Sequence, residues 1–134
     1  MAKLKIIGIV PARGGSKSIP LKNIKIINNK PLISYTLDVA KKSKIFDYII
    51  VSTDHHKIKK IFSNFKDILV FDRSKKISRD ITPTEEVVTD VLKKIKNIKN
   101  YVPDWIFILE PTSPLRSINT ILKAKKIINK KKKI

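Results

Sequence analysis

Short apolar runs alternate with amphipathic stretches along the chain. Four runs are mainly apolar, as is typical of strands that are buried on both faces of a parallel sheet. They are 5–12, 46–54, 67–72 and the run that starts at 104. Apolar residues elsewhere recur at helical spacing. This spacing predicts amphipathic helices at 31–43, 55–65, from 83 onward, and 119–129. The alternation predicts a three-layer α/β/α fold, with helices on both faces of a mainly parallel sheet.

Two of the predicted helices have clear start signals. Pro31 follows the turn at Asn28 and Asn29 and is suited to the first position of a helix. Thr82 and Glu85 have the spacing of a capping box. The buried stripe of that second helix is predicted to be Val87, Val88, Val91, Leu92, Ile95 and Ile98.

A polar loop follows each predicted strand. These loops are 12–23, 52–54, 73–82 and 110–116. Because the carboxyl ends of parallel strands meet at one edge of a sheet, and ligands of such sheets bind there, we expect one shared site. This expectation needs only the order of the elements.

The first loop, "PARGGSKSIPLKN", has the chemistry of a phosphate cradle. Gly14 and Gly15 allow consecutive backbone N–H groups to turn inward, and Ser16 adds a hydroxyl donor. Arg13 and Lys22 add positive charge. The spacing differs both from the Walker A loop and from the dinucleotide-binding fingerprint.

The composition narrows the class of protein. The chain has 134 residues, enough for one domain, and a formal net charge of +19. Isoleucine, lysine and asparagine are all abundant, with 25, 26 and 8 residues, as an AT-rich genome would produce. Arginine occurs only four times and aromatic residues do not interleave with the lysines, so no nucleic-acid partner is expected.

Targeting signals and disulfides are not indicated. The start of the chain lacks a signal-peptide pattern, no run is long enough to span a membrane, and there is no cysteine. We therefore expect a cytoplasmic protein without a membrane partner.

Four strings, in order, resemble the acylneuraminate cytidylyltransferase family, which includes the CMP-sialic acid and CMP-legionaminic acid synthetases. They are "IVPARGGSKSIPLKN", "IIVSTD", "RSKKISRD" and "LEPTSPLR". The resemblance implies a Rossmann-like nucleotidyltransferase fold. It also implies transfer of CMP from CTP to a nonulosonic acid, an acidic nine-carbon sugar of surface polysaccharides, with release of pyrophosphate and the help of Mg²⁺.

The resemblance also implies roles for individual residues. Arg13 and Lys22 fall on catalytic positions, and Lys22 is the best candidate for stabilising charge at the reacting phosphate. Nucleotide-binding positions are Arg13, Gly14, Gly15, Ser16, Lys22, Asn23, Arg73 and Thr84. Substrate-binding positions are Glu110, Thr112, Ser113 and Arg116.

Glu110 departs from the family, in which glutamine is usual at this position. A glutamine both donates and accepts hydrogen bonds, whereas an ionised glutamate only accepts and also repels an acidic sugar. This substitution leaves open which sugar, or which nucleotide, the protein uses. Two alternatives therefore stand beside the family reaction: a nucleotidyltransferase for another pair, such as GTP and a different sugar, and a non-catalytic CTP-binding fragment.

Family chains continue beyond the part that this sequence matches. Their later part supplies a D-x-D motif that binds Mg²⁺, much of the sugar pocket and a dimer-forming segment, and this chain has no D-x-D. We therefore expect an N-terminal fragment, 1–134, which forms a single domain with a basic tail at 129–134. It would lack the family's metal ligands, and it would have poor turnover and an incomplete homodimer surface. A frame slip at the lysine codons near its end, or a split gene, is the hypothesised cause.

Three other features have simpler interpretations. Trp105 is predicted to lie in the core. Asp54 is equally suited to capping a helix and to lining the site. His55 and His56 are adjacent and are expected to point in different directions, so no metal site is predicted from them.

Overall fold

The computed structural model describes residues 4–12, 26–27, 30–63, 65–73, 84–110 and 118–132. The strands in this part of the chain are β1 (Ile6–Pro11), β2 (Ile26–Ile27), β3 (Lys30–Pro31), β4 (Tyr48–Thr53), β5 (Ile68–Asp72) and β6 (Trp105–Ile108). The helices are α1 (Leu32–Ser43), α2 (His56–Phe62), α3 (Thr84–Lys99) and α4 (Ile118–Lys132).

Four strands form one parallel sheet in the order β5-β4-β1-β6. The register places Gly8 of β1 opposite Ile49 of β4 on one side and Phe107 of β6 on the other. The strands β2 and β3 pair with each other as a separate antiparallel ribbon. The predicted parallel α/β fold is confirmed, and the four predicted main strands form its sheet.

Helices cover both faces of the sheet, as a three-layer fold requires. On one face, α1, α2 and α4 contribute Ile33, Ile58 and Ile121 to a buried cluster with the strand side chains that point to that face. On the other face, Val91 and Ile95 of α3 pack against Ile7, Ile9 and Ile50. Since successive side chains of a strand point to opposite faces, β1 and β4 supply both clusters, and the middle of each strand is apolar.

Some predicted details differ in the structure. Pro31 pairs with Ile26 as the last residue of β3, so α1 begins at Leu32 and not at the proline. Ile98 has the helical spacing of the buried stripe of α3, yet it is 61% exposed, because the sheet does not cover the last turn. Trp105 is half-buried and not a core residue, since β6 is an edge strand of the described sheet. The helix α4 continues past Asn129 to Lys132.

A polar and aromatic cluster joins three strands at the amino edge of the sheet. The Tyr101 hydroxyl donates a hydrogen bond of 2.6 Å to Asp47, and the Tyr101 ring meets Tyr48 edge-on with centroids 4.9 Å apart. The Asp104 carboxylate accepts a hydrogen bond of 2.9 Å from the backbone N–H of Lys5. These contacts lie just before β1, β4 and β6, and so they tie the starts of these strands together.

This cluster makes the Tyr101 phenol harder to deprotonate. Burial of the ring, and then the hydrogen bond to Asp47, raise the pKa of Tyr101 well above its ordinary value. The folded protein therefore favours the neutral phenol. Its contribution to stability is present below the pKa of an unfolded tyrosine, about 10, and is lost as the pH rises through the higher folded value.

We expect Tyr101→Phe to lower the free energy of unfolding at neutral pH by roughly 0.5 to 1 kcal/mol, through loss of the hydrogen bond. Urea denaturation measures the change. Tyr48→Phe is the matched control, because no hydrogen bond to its hydroxyl is found among the described residues. The difference between wild type and Tyr101→Phe should shrink above about pH 10. Equal effects of the two substitutions would contradict the assignment.

Within the described ranges, none of the helices combines the length and the apolar character that crossing a membrane requires.

Candidate functional site

The carboxyl ends of the four parallel strands lie at one edge of the sheet, and backbone hydrogen bonds extend this alignment one residue further. The N–H of Ala12 donates to the Ser52 carbonyl at 2.9 Å, and that of Arg73 donates to the Thr53 carbonyl at 2.8 Å. The N–H of Leu109 donates to the Ile9 carbonyl, also at 2.8 Å. Each candidate loop therefore leaves the same edge from a fixed starting residue.

Arg73 is the most unusual side chain at this edge. It follows β5 directly and is only 6% exposed, although arginine is rarely buried in proteins. Burying a guanidinium is costly unless oriented partners or a ligand compensate for the lost hydration. A rigid, always charged group with several donors, held inside the edge of a sheet, is suited to binding an anionic or polar ligand.

The end of β4 adds two buried hydroxyl groups that sequence reasoning did not single out. Ser52 and Thr53 are both fully buried. The Thr53 hydroxyl accepts a hydrogen bond of 3.2 Å from the backbone N–H of His55. No partner for the Ser52 hydroxyl is found among the described residues. The signal in the sequence was a pair of polar residues at the end of an otherwise apolar strand.

The remaining described site candidates are exposed at the same edge. Thr84 is the first residue of α3, whose amino end carries the partial positive charge of a helix dipole. Glu110 lies just beyond Leu109, at the end of β6. The topology therefore brings Arg73, Thr84 and Glu110 to one edge, as the strand pattern predicted.

The residues next to β4 behave differently from the prediction. His55, and not Asp54, caps α2, because its ring Nδ1 accepts a hydrogen bond of 3.1 Å from the backbone N–H of Lys57. The rings of His55 and His56 stack with centroids 4.7 Å apart and do not point apart. The interpretation of Asp54 as the helix cap is therefore wrong, and Asp54 stays half-buried at the carboxyl edge.

Most of the site predicted from the sequence lies outside the described residues. This applies to the predicted helix cap Thr82, and to the candidates Arg13, Gly14, Gly15, Ser16, Lys22, Asn23, Thr112, Ser113 and Arg116. Their roles stay predictions.

The described acidic residues do not form a metal centre. In the ranges that the structure covers, no three histidine, aspartate or glutamate side chains come together as a ligand set. At the carboxyl edge, the Asp72 carboxylate instead accepts a hydrogen bond from the Lys59 ammonium. No metal-ligand set is therefore assigned among the described residues, and no chemical step is assigned to a metal ion.

The fold and the placement of these residues define an α/β protein of the nucleotidyltransferase type. The chain belongs to the cytidylyltransferase family, whose sequence model matches residues 7–134. The family predicted from the four strings is thereby confirmed.

Curated relatives are similar to this chain over most of its length. The chain is 33% identical, over 92% of its length, to the CMP-N,N'-diacetyllegionaminic acid synthase of Legionella pneumophila, of which it covers 53%. It is 37% identical, over 84% of its length, to the pseudaminic acid cytidylyltransferase of Campylobacter jejuni, of which it covers 48%. The chain thus spans about half the length of these curated relatives.

Solved structures share the fold at low sequence identity. The structure of CMP:2-keto-3-deoxy-manno-octonic acid synthetase complexed with CTP superposes with a TM-score of 0.76 at 18% identity, and the match covers 94% of this chain and 48% of that one. A manganese complex of Rv0371c from Mycobacterium tuberculosis superposes with a TM-score of 0.58 at 16% identity, covering 92% and 59%. At this identity the likeness concerns the fold alone.

Proposed function

We propose that this chain binds CTP at the carboxyl edge of its sheet and provides the nucleotide half of a cytidylyltransferase. The reaction is the transfer of CMP from CTP to a nonulosonic acid of the sialic or legionaminic type. The observation that carries the proposal is the family match over 7–134, which includes every loop at that edge. The reaction is placed in the cytoplasm, where CTP is available, and its products would serve the synthesis of surface polysaccharides.

Cytidylyl transfer from CTP requires positive charge around the triphosphate. A hydroxyl oxygen of the sugar forms a bond to the α-phosphorus of CTP, and its proton passes to water. The bond from the α-phosphorus to the bridging oxygen breaks, and pyrophosphate leaves with the electron pair. Cations and N–H donors that surround the phosphates stabilise the charge that builds up in this step.

Individual residues have separate parts in the proposal. Arg13 and Lys22, with the N–H groups of Gly14 and Gly15, would hold the triphosphate, and Lys22 would face the reacting phosphate. Ser16, Asn23 and Thr84 would add polar contacts to the nucleotide. Arg73, buried beside the end of β4, would orient the nucleotide near the base.

A divalent cation belongs to the proposal as the partner of the phosphates, and Mg²⁺ is the ion expected. The manganese complex of a fold neighbour supports a divalent ion in general. When bound, such an ion neutralises phosphate charge. No group of three candidate ligands for it is found among the described residues, and none of the proposed residue roles depends on one.

The identity of the sugar depends on the loop after β6. Thr112, Ser113 and Arg116 would contact the acidic sugar, and Arg116 would suit its carboxylate. Glu110 is exposed at the edge and, when ionised, offers only acceptors. It would therefore favour a sugar that presents a hydroxyl or amine donor there.

Two alternatives are tested with the same protein. A nucleotidyltransferase for GTP or another sugar would share the fold, but the relatives' names specify CMP or cytidylyl transfer, which favours cytidine. A non-catalytic fragment would bind CTP without turnover. The chain covers 53% and 48% of these two relatives. The sugar pocket of the whole protein and a family-like homodimer are therefore proposals too.

Calorimetric titration of the 134-residue chain with CTP, UTP and GTP tests the nucleotide. We expect CTP to bind at least about tenfold more tightly than GTP, a difference of about 1.4 kcal/mol. Pyrophosphate release with Mg²⁺ and a panel of nonulosonic acids then separates the enzyme from a binding fragment. Equal affinity for all three nucleotides would reject a cytidine site.

A further inference from the structure

The peptide bond between Asp72 and Arg73 is held from both sides. Its N–H, on Arg73, donates to the Thr53 carbonyl of β4 at 2.8 Å. Its carbonyl, on Asp72, accepts a hydrogen bond from the Lys94 ammonium of α3. The described peptide bonds include no cis bond, and in a trans peptide the N–H and C=O point in opposite directions. The carbonyl therefore points away from β4.

This outward carbonyl lies where the described sheet has no neighbouring strand. β5 is an edge strand in the order β5-β4-β1-β6, and the outer carbonyls of an edge strand lack a ladder partner. Lys94 supplies a charged donor to this carbonyl from a helix. A lysine in the middle of α3 thus supplies, for one carbonyl, the hydrogen-bond donor that a neighbouring strand would otherwise provide.

The ammonium of Lys94 is itself held in place. Asp90, one turn earlier on α3, accepts a hydrogen bond of 2.9 Å from it, and both side chains are half-buried. On the opposite face of the sheet, Lys59 of α2 binds the Asp72 carboxylate. Side chains from two helices in different layers therefore bind Asp72, the residue that precedes Arg73.

The direction of the Arg73 side chain depends on how the Asp72–Arg73 peptide plane is held. A rotation of the peptide plane changes ψ of Asp72 and φ of Arg73, and φ helps to set the direction in which the Arg73 side chain leaves the backbone. The guanidinium lies several bonds from that pivot, so a small rotation of the plane displaces it considerably. Arg73 is only 6% exposed, and a displaced guanidinium would have to find another buried position.

We propose that Lys94 is a positioning residue for nucleotide binding: it fixes the Asp72–Arg73 peptide plane and so aims the Arg73 guanidinium into the site. The ligand chemistry is that of a nucleoside triphosphate, and this part rests on the proposed function. Lys94 itself does not touch the nucleotide.

Lys94→Met and its matched control Lys93→Met separate positioning from charge. Both remove one lysine from the same helix, and Lys93 is exposed. Calorimetry should show CTP binding about fivefold weaker in Lys94→Met than in Lys93→Met, within the usual range for coupled neighbours. Lys94→Arg, which keeps a charged donor, should retain most of the affinity. The urea midpoint of Lys94→Met should lie somewhat below that of Lys93→Met, because only Lys94 loses hydrogen bonds, to the Asp72 carbonyl and to Asp90.

A double-mutant cycle with Arg73→Met identifies the route of the effect. Once Arg73 is absent, Lys94→Met and Lys93→Met should bind CTP equally, because nothing is left to aim. If Lys94→Met still costs about fivefold more in that background, Lys94 acts by another route and the proposal is wrong. Equal affinity of the two lysine variants in the presence of Arg73 also overturns it.

Hydrogen exchange of the Arg73 amide, followed by NMR without nucleotide, tests the mechanical part alone. We expect exchange about tenfold faster in Lys94→Met than in Lys93→Met, since the N–H to Thr53 is held through the same peptide plane. Equal exchange overturns the proposal whether or not CTP binds. If wild type binds no CTP, the proposed function fails, and this measurement still decides whether Lys94 holds Arg73.

Discussion

Replacing Arg73 with methionine should weaken CTP binding by roughly 10- to 100-fold, because a hydrogen bond to a charged group contributes about 1.5 to 3 kcal/mol. The side chain is buried at the carboxyl edge, with its backbone N–H fixed 2.8 Å from the Thr53 carbonyl. A buried guanidinium is dehydrated before the ligand arrives, so little hydration is lost on binding. Methionine keeps much of the volume and removes the donors.

Isothermal titration at constant ionic strength measures this effect. Lys66→Met is the matched control, because it removes one positive charge from an exposed position at the opposite, amino edge of the sheet. With a net charge of +19, the loss of a distant charge should change CTP affinity by less than about twofold. Unchanged binding by a folded Arg73→Met protein would remove Arg73 from the site. Circular dichroism and urea denaturation establish that the variant is folded.

Replacing Gly8 with valine should lower the free energy of unfolding by about 3 kcal/mol, the upper part of the usual range for overpacking. Gly8 lies in the middle of β1, and a Cβ at this position would meet Leu109 Cδ1 at 3.0 Å and ring atoms of Phe46 at 3.4 Å. Phe46 in turn packs edge-on against Phe107, with ring centroids 5.3 Å apart. The missing side chain of Gly8 therefore makes room for residues that pack over the central strand.

Gly8→Ala is the graded control, and we expect a cost of about 1 kcal/mol because it adds only the Cβ. Leu109→Ala in the Gly8→Val background tests the cause. If the clash with Leu109 explains the loss, the double variant should be more stable than the sum of the single effects predicts, by about 1 to 3 kcal/mol. Additive effects in urea denaturation would assign the cost to something other than this contact.

Local pattern was sufficient for the elements that position the site. The runs at 5–12, 46–54 and 67–72 contain β1, β4 and β5 of the structure, because a strand that is buried on both faces must be apolar at nearly every residue. The carboxyl edge followed from the order of strands and helices. The start of α1 shows the limit of local signals, since Pro31 pairs in a ribbon before the helix begins.

Features that depend on the exact arrangement of side chains, or on distant partners, were not predictable. His55 caps α2 through its ring, and no pattern distinguishes this from capping by Asp54. Ile98 has the correct helical spacing but is not covered by the sheet. Lys94 and Asp72 lie 22 residues apart, and nothing in either local sequence indicates that they meet.

The sequence by itself determined the kind of each main element, the α/β class and the family, because periodicity and short motifs are properties of neighbouring residues. Only the tertiary structure decided the strand order, the burial of Arg73, the close contacts around Gly8 and the hydrogen bond from Lys94 to the end of β5. These depend on which distant segments the packing of two helical layers on one sheet brings together. That packing is set by the whole chain at once, so no local stretch of sequence records it.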